Sequence, residues 1–171
     1  MGVEGAAVTS AEAAQYRAAG WWSDATLSDS VRRNATEAPD KPAYLDFTLD
    51  SADRRFTWSE FDNAATNLAY GLRDLGVAPG DHVGLWHKDS ATIHIALLAI
   101  ERCGAAAAGL GSRVGVREAE HILAATQPTL LVTDVERRGL ATDARSQTHG
   151  GRSAPLDGEQ RDVDRRAVFV P

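Results

Sequence analysis

The sequence predicts an α/β domain with a partly parallel sheet and flanking helices. From residue 59 to residue 134, stretches with helical spacing of apolar residues alternate with short apolar runs, in the order α-β-α-β-α-β. Each connection between two strands contains a helix, so the strands should be parallel with right-handed crossovers. The chain has 171 residues, 43% apolar and 25% charged, which is enough for one domain with a core.

The segment before residue 59 is predicted to form two helices and a β-hairpin. Residues 11–20 have the pattern of a short helix. We expect at least one of the adjacent Trp21 and Trp22 to pack onto the domain, because two neighbouring exposed tryptophans are unusual. Residues 42–58 contain two strand-like runs around a polar turn, which indicates a hairpin. The second helix is predicted to bury one face, made of Leu27, Val31 and Ala35.

The first helix–strand unit has the clearest local signals. Thr57 and Glu60 form a capping box at the start of a helix. Gly76 supplies a left-handed C-terminal cap, and Pro79 with Gly80 forms the turn into a strand over residues 82–86. The predicted buried stripe of the helix consists of Trp58, Phe61, Ala65, Leu68, Leu72 and Leu75.

Two further units repeat this plan. A helix over 90–103 is followed by a strand over 105–110, and a helix over 116–126 by a strand over 129–133. The predicted buried residues of these two helices are Ile93, Leu97 and Ile100, and Ala119, Ile122 and Leu123. Residues 135–171 have few large apolar residues and no period, so they are predicted to be a linker or disordered tail, apart from a strand that begins in "AVFVP".

The ordered motifs identify a family. The helix that opens T-W-S-E-F, the sequence L-G-V-x-P-G-D-x-V and the segment "EAEHILAATQPTLLVTD" resemble the N-terminal part of the adenylate-forming ligases, over roughly residues 16–134. At the position where family members more commonly have a proline-leucine-asparagine run, this chain has "GLGSRVGVRE". In this segment it is most similar to medium-chain or cyclic-acid CoA ligases. The resemblance implies that residues 1–134 are the N-terminal portion of the AMP-binding domain and that the ligase fold is incomplete.

The resemblance also implies an activity for the complete family member. ATP and a small carboxylic acid give an acyl-adenylate and pyrophosphate, and the acyl group then passes to the thiol of CoA, with Mg²⁺ as the metal. The family's phosphate loop, ribose-binding acid and C-terminal lysine all lie beyond the matched region. The nearest candidate for a phosphate loop, residues 146–153, lacks the Pro-Lys-Gly ending and is interpreted as a flexible linker. We therefore expect a fragment without catalytic residues, which binds no cofactor and is not catalytic alone.

Two alternative functions stay open. Gly109, Gly111 and Gly115 with Asp134 form a loose dinucleotide fingerprint, which would make the chain an NAD-binding Rossmann-like module. The alternative interpretation of these glycines is that they relieve a tight strand-to-helix turn. The chain could also be a non-catalytic partner that docks on a full-length ligase.

Composition excludes several other classes of protein. A net charge of −6 argues against a nucleic-acid surface, and no apolar run is long enough to span a membrane. One cysteine, Cys103, excludes an internal disulfide, and a cytoplasmic location is expected. The five histidines have no metal-ligand spacing, so no metal site is predicted.

Self-association is the last expectation from the sequence. The family's sheets continue into segments that lie after the phosphate loop. Without those segments, some strand side chains should be under-covered and the sheet edges open. The residues expected to be under-covered are Val83, Leu85, Leu130, Leu131 and Val132.

Overall fold

The fold was obtained as a computed structural model, which describes residues 8–47, 54–134 and 137 and the backbone of residues 167–169. Five helices and six strands are described. In chain order they are α1 (Ser10–Ala18), α2 (Leu27–Glu37), β1 (Pro42–Asp46), β2 (Arg54–Thr57), α3 (Trp58–Asp74), β3 (His82–Trp86), α4 (Ala91–Arg102), β4 (Ala106–Leu110), α5 (Val116–Thr126), β5 (Leu130–Thr133) and β6 (Ala167–Phe169).

The main sheet is parallel and has the strand order β4-β3-β5-β6. His82 pairs with Ala106 on one side of β3, and Val83 pairs with Leu130 on the other. The three strands predicted between residues 82 and 133 therefore lie in one parallel sheet, which confirms the α/β prediction. The strand predicted at the end of the sequence is also present, since Ala167 pairs with Leu131. The domain boundary at residue 134 stays a prediction, because residues 138–166 lie outside the described residues.

Helices cover both faces of the sheet. Val83, Leu85, Leu130 and Val132 point to the face covered by α3 and α4, while Leu131 points to the face covered by α5. These five side chains are at most 1% exposed, so the prediction that they are under-covered is wrong. The reason is that these side chains pack into two apolar clusters with residues of α3 and α4 on one face of the sheet and of α5 on the other.

The glycine in the middle of β3 has a packing role. A Cβ atom built on Gly84 would lie 2.7 Å from Cδ1 of Leu131 and 3.5 Å from Cδ2 of Leu123 in α5. The absence of a side chain at Gly84 therefore lets the α5 layer pack closely against the centre of the sheet.

The predicted hairpin is confirmed, with β1 and β2 antiparallel and Leu45 paired with Arg55. The hairpin packs with α2, α3 and α4 in a cluster of its own, centred on Val31, Phe61 and Leu98. Leu27 was expected in this interface but is 60% exposed. The helix instead meets its neighbours through Ser28 and Val31, and Leu27 lies beside that face, at the first position of α2.

The buried face of α4 is broader than its periodicity indicated. Ile100 is buried as predicted, but Leu97 is 37% exposed. Because α4 packs against both α3 and the sheet, Ile95, Ala96 and Leu98 are buried as well. Only a narrow face of the helix is left towards solvent, and Leu97 lies on it.

Both tryptophans after α1 are exposed, contrary to expectation. Trp21 is 75% exposed and Trp22 is 42% exposed. Their rings pack against Tyr16, with centroid distances of 5.7 Å and 5.1 Å. No residue of α1 is buried, so this helix offers the tryptophans no core to enter.

The turn after α3 joins the ends of two helices. Gly80 has a φ of 89°, and its N–H donates to the carbonyl of Gly104, just after α4, at 2.9 Å. The Asp81 carboxylate accepts from the N–H of Ala78 at 2.9 Å and closes the turn. A Cβ atom on Gly104 would lie 3.2 Å from Cβ of Pro79, so the two turns are in contact. The Pro-Gly-Asp sequence thus has a structural role, as the sequence predicted.

Candidate site at the carboxyl edge of the parallel sheet

The parallel strands place three loops at one edge of the sheet. These loops follow β3, β4 and β5; the first two contain residues 87–90 and 111–115, and the third is described at Asp134 and Arg137. The chain runs from β3 to β4 on one side and then crosses to β5 on the other side of β3, so the direction in which strands are added reverses between β3 and β5, while the strands stay parallel. In open parallel sheets, ligand sites form outside the carboxyl ends of strands at such a reversal. This edge is therefore where a site would be expected.

The loop after β3 is held by hydrogen bonds to the backbone of Lys88. Its N–H donates to the Asp134 carboxylate at 3.0 Å, and its carbonyl accepts from the Ser90 hydroxyl at 3.3 Å. Nδ1 of His87 lies 2.8 Å from the same carbonyl. A carbonyl can only accept, so Nδ1 carries the proton in this contact. The loop conformation is fixed from both β3 and β5.

His87 is buried, and its Nε2 has no partner among the described residues. The Ser90 hydroxyl lies 3.5 Å from Nδ1 of His87. Because the Nδ1 proton is directed at the carbonyl of Lys88, this nitrogen is not available as a base for Ser90. Ser90 and His87 are therefore close enough to be a nucleophile and its base. The proton on Nδ1, however, prevents this nitrogen from accepting the proton of the Ser90 hydroxyl.

Asp134 joins the loops after β3, β4 and β5. Its carboxylate accepts from the N–H of Arg137 at 2.9 Å and forms an ion pair with the guanidinium of Arg137, which also donates to the carbonyl of Ser112 at 3.0 Å. Burial alone would raise the pKa of Asp134. The hydrogen bonds from the backbone of Arg137 and Lys88, together with the Arg137 guanidinium, outweigh burial and hold that pKa below its ordinary value.

The four residues of the predicted dinucleotide fingerprint lie at this edge, where the Asp134 carboxylate is engaged by the protein itself. The carboxylate of Asp134 is buried and already accepts from Lys88 and Arg137. A Cβ atom on Gly109 or Gly115 would meet nothing within 4 Å, and one on Gly111 would make an ordinary contact with Val114. None of the three glycines has a positive φ. Neither the packing of the protein nor the backbone conformation therefore requires glycine at these positions, and the dinucleotide interpretation stays a prediction.

A carboxylate from the hairpin lies at the start of α4. The Asp46 carboxylate accepts from the N–H of Ala91 at 3.2 Å, whereas Ser90, at the N-cap position, makes no capping bond with its side chain. The positive end of α4 is thus neutralised by an acid that is distant in sequence. Sequence analysis did not identify Asp46, His87 or Arg137. Only the polar run "HKDS" directly after a buried strand could have indicated this edge.

The described residues contain no group of three or more histidine, cysteine or acidic side chains that could hold a metal. Cys103 is buried, and its thiol donates to the carbonyl of Ala69 at 3.4 Å. Burial raises the pKa of this thiol, and nearby Arg73 lowers it only in part. Within the same residues, no helix is long and apolar enough to cross a membrane.

Comparisons with known proteins identify the family. Residues 31–167 match the family described as AMP-binding enzyme. A salicyl-AMP ligase / salicyl-S-ArCP synthetase of Mycobacterium tuberculosis is 37% identical over 93 residues, which cover 54% of this chain and 16% of that protein. A CoA ligase of the same organism, named for an indenyl-propanoyl substrate, is 35% identical over 98 residues, which cover 57% of this chain and 18% of that protein.

A solved structure supports the same relationship. The apo structure of Mycobacterium smegmatis MbtA superimposes with a TM-score of 0.73 at 28% identity and covers 95% of this chain and 31% of that one. The chain thus spans less than a fifth of the length of the two curated relatives and about a third of the solved one. With most of its length matched, the chain belongs to the AMP-binding enzyme family and has the fold of the N-terminal part of the adenylate-forming ligases.

Proposed function

We propose that this chain supplies the N-terminal part of an adenylate-forming ligase and does not turn over substrate alone. The observation that carries the proposal is the family match over residues 31–167, in a chain that spans 31% of its solved relative. In the complete enzyme, ATP activates a small carboxylic acid as its adenylate before the acyl group passes to a thiol. We place this activity in the cytoplasm.

The described residues do not fit a bound triphosphate. A phosphate site needs amide groups that converge on the anion, commonly at the start of a helix. Here the Asp46 carboxylate occupies the start of α4, and the Asp134 carboxylate lies at the same edge of the sheet. In the loop after β4, the N–H of Val114 donates to the carbonyl of Gly111. The Asp46 carboxylate would repel a phosphate at the start of α4, and the Arg137 guanidinium is already paired with Asp134, so we assign no step of the reaction to this edge.

The contribution of the chain is instead a rigid layer of the enzyme. The contacts of Asp134 and Arg137 fix three loops at the carboxyl edge of the sheet. The turn from Ala78 to Asp81 fixes the other, N-terminal end of β3. A reacting constellation has to be held to within fractions of an ångström by such a support. We infer that these contacts serve the parts of the complete enzyme that hold ATP.

We propose CoA as the thiol acceptor in the complete enzyme. One relative is named a CoA ligase, while another is named a salicyl-S-ArCP synthetase, so a carrier protein is the competing acceptor. The support for CoA is the segment "GLGSRVGVRE", which resembles medium-chain and cyclic-acid CoA ligases.

The test is an assay of the purified chain with ATP, Mg²⁺ and a panel of small carboxylic acids, with and without CoA. We expect AMP release no faster than in a blank without protein. AMP formation that depends on both the acid and the chain would contradict the proposal. If such activity is found, an Asp134→Asn variant serves as a control. Loss of the activity in this variant would show that the carboxyl edge of this chain takes part in the reaction.

A further inference from the structure

The N-terminal stretch from Val8 to Leu27 exposes an unusual share of apolar surface. Eight large apolar side chains are exposed in the described part of the chain, and four of them, Val8, Trp21, Trp22 and Leu27, belong to these twenty residues. The other four are divided among the hairpin, α3 and α4. Single exposed apolar residues are ordinary, whereas a concentration of them marks an interaction surface.

Three rings form the centre of this surface, which we call the N-terminal aromatic surface: Tyr16, Trp21 and Trp22. The N–H groups of both tryptophans donate to the carbonyl of Tyr16, at 2.9 Å and 3.2 Å. An ion pair between Arg17 and Asp24, with a nitrogen-to-oxygen distance of 3.5 Å, ties the segment after the tryptophans to α1. The two backbone bonds set both tryptophans beside Tyr16, so the three rings lie next to one another on the surface.

The composition of the stretch fits the centre of an interface. Tryptophan and tyrosine are enriched there and charged residues are depleted. Residues 8–27 carry only three charged side chains, Glu12, Arg17 and Asp24, two of which pair with each other. The local charge is thus −1, although the whole chain has −6, and at physiological salt charges beyond about 8 Å are screened.

We propose that the N-terminal aromatic surface joins two copies of this chain. From their exposed fractions, the two tryptophans, together with Val8 and Leu27 at the two ends of the stretch, present roughly 450 Å² of largely apolar surface along residues 8–27. A standard interface buries about 800 Å² on each partner, of which a little over half is apolar, so a stable dimer needs about the apolar area that this stretch offers. A two-fold arrangement, in which each copy presents the same surface to the other, is the commonest symmetry of such contacts.

The experiment is sedimentation velocity on the full chain at increasing concentration. We expect a reversible monomer–dimer equilibrium for the unaltered chain. The double variant Trp21→Ser with Trp22→Ser should raise the dimer dissociation constant at least about tenfold, because buried tryptophans dominate binding energy. Since α1 buries no residue, the variant should keep the circular dichroism spectrum and urea midpoint of the unaltered monomer.

Two matched controls make the test specific. Tyr70, on α3, and Phe47, after the hairpin strand, are also exposed aromatic residues. Tyr70→Ser and Phe47→Ser should leave the dissociation constant within about twofold of the unaltered chain, as expected for residues outside the contact. A chain that stays monomeric at hundreds of micromolar would overturn the proposal. A dimer that the double tryptophan variant leaves intact would overturn it as well, and would assign the contact to another surface.

Discussion

At the scale of single residues, Arg102 is the most heavily bonded side chain described in the core. It is the last residue of α4, and its side chain is 4% exposed. Nε donates to Ser28 in α2 at 3.2 Å, and Nη1 donates to Thr66 in α3 at 2.7 Å. Nη2 pairs with the Asp62 carboxylate at 2.6 Å. A planar guanidinium has several N–H donors in fixed directions, so it can bond to three helices at once. The single ammonium group of a lysine could not make this set of bonds.

Removal of this guanidinium should be costly. We expect Arg102→Met to lower the free energy of unfolding by about 2–4 kcal/mol, because the Asp62 carboxylate and two hydroxyl groups lose their donor in a partly buried position. Urea denaturation followed by circular dichroism measures this. The matched control is Arg17→Met, whose ion pair with Asp24 is exposed and should contribute little. Equal stability losses for the two variants would show that the Arg102 contacts add nothing beyond a surface pair.

At the scale of secondary structure, capping boxes define the starts of three helices. The boxes are formed by Thr9 with Glu12, Thr26 with Asp29, and Thr57 with Glu60. In α3, the Thr57 hydroxyl accepts from the N–H of Glu60 at 3.2 Å, and the Glu60 carboxylate accepts from the N–H of Thr57 at 2.8 Å. The same local bonds support helices of very different importance, since α3 is part of the core and α1 buries no residue.

This difference gives a prediction for two equivalent substitutions. Thr57→Ala should lower the free energy of unfolding by about 1 kcal/mol, the usual effect of removing an N-cap. Thr9→Ala removes the same kind of cap from α1 and should leave the global unfolding midpoint unchanged, because α1 can fray without exposing core residues. Chemical denaturation monitored at several wavelengths distinguishes the two. A global loss of stability in Thr9→Ala would mean that α1 is packed more firmly than its exposure indicates.

Local signals in the sequence predicted the elements better than their packing. The cap at Thr57 and the positive φ of Gly76 and Gly80 are confirmed, because short-range geometry determines them. The three parallel strands are confirmed as well, because a helix in each connection favours a crossover to a parallel strand. The exposure of Leu27 and Leu97 could not be predicted from the sequence. Helical periodicity indicates which face of a helix is apolar, but it does not indicate which neighbouring element covers that face. The same limit explains why the contacts of Asp46 and Arg102, which join residues 36 to 74 positions apart, were missed.

At the scale of the whole molecule, the parallel sheet separates two apolar layers. Leu72 and Ile100 lie in the layer with α3 and α4, and Trp86 and Leu123 lie in the layer with α5. Alternation along β3 sends Leu85 to one layer and Trp86 to the other. Both layers end at the carboxyl edge, where Asp134 and Arg137 hold the loops together. Asp134 was singled out from the sequence, but its contacts with Lys88 and Arg137 were not predicted, because the meeting of the first two depends on the strand order.

The stability of this edge should depend on pH through Asp134. Its pKa is held below the ordinary value of 3.8, so the charged form is favoured in the folded state. A carboxyl group with a lowered pKa stabilises the fold at pH values above its unfolded pKa, and this stabilisation is lost as the pH falls through its folded pKa. Asp134→Asn should therefore reduce the free energy of unfolding by about 1–3 kcal/mol at neutral pH. The difference from the unaltered chain should shrink below about pH 4.

Urea denaturation of both proteins at a series of pH values measures this difference directly. Other carboxyl groups also titrate in this range, but they do so in both proteins and cancel in the comparison. Asp24→Asn is the control, because its ion pair with Arg17 is exposed and should give a small difference from the unaltered chain at every pH. A stability difference for Asp134→Asn that stayed constant from neutral pH down to acid would show that the carboxylate charge does not contribute. The three loops would then be held by the shape of the side chain alone.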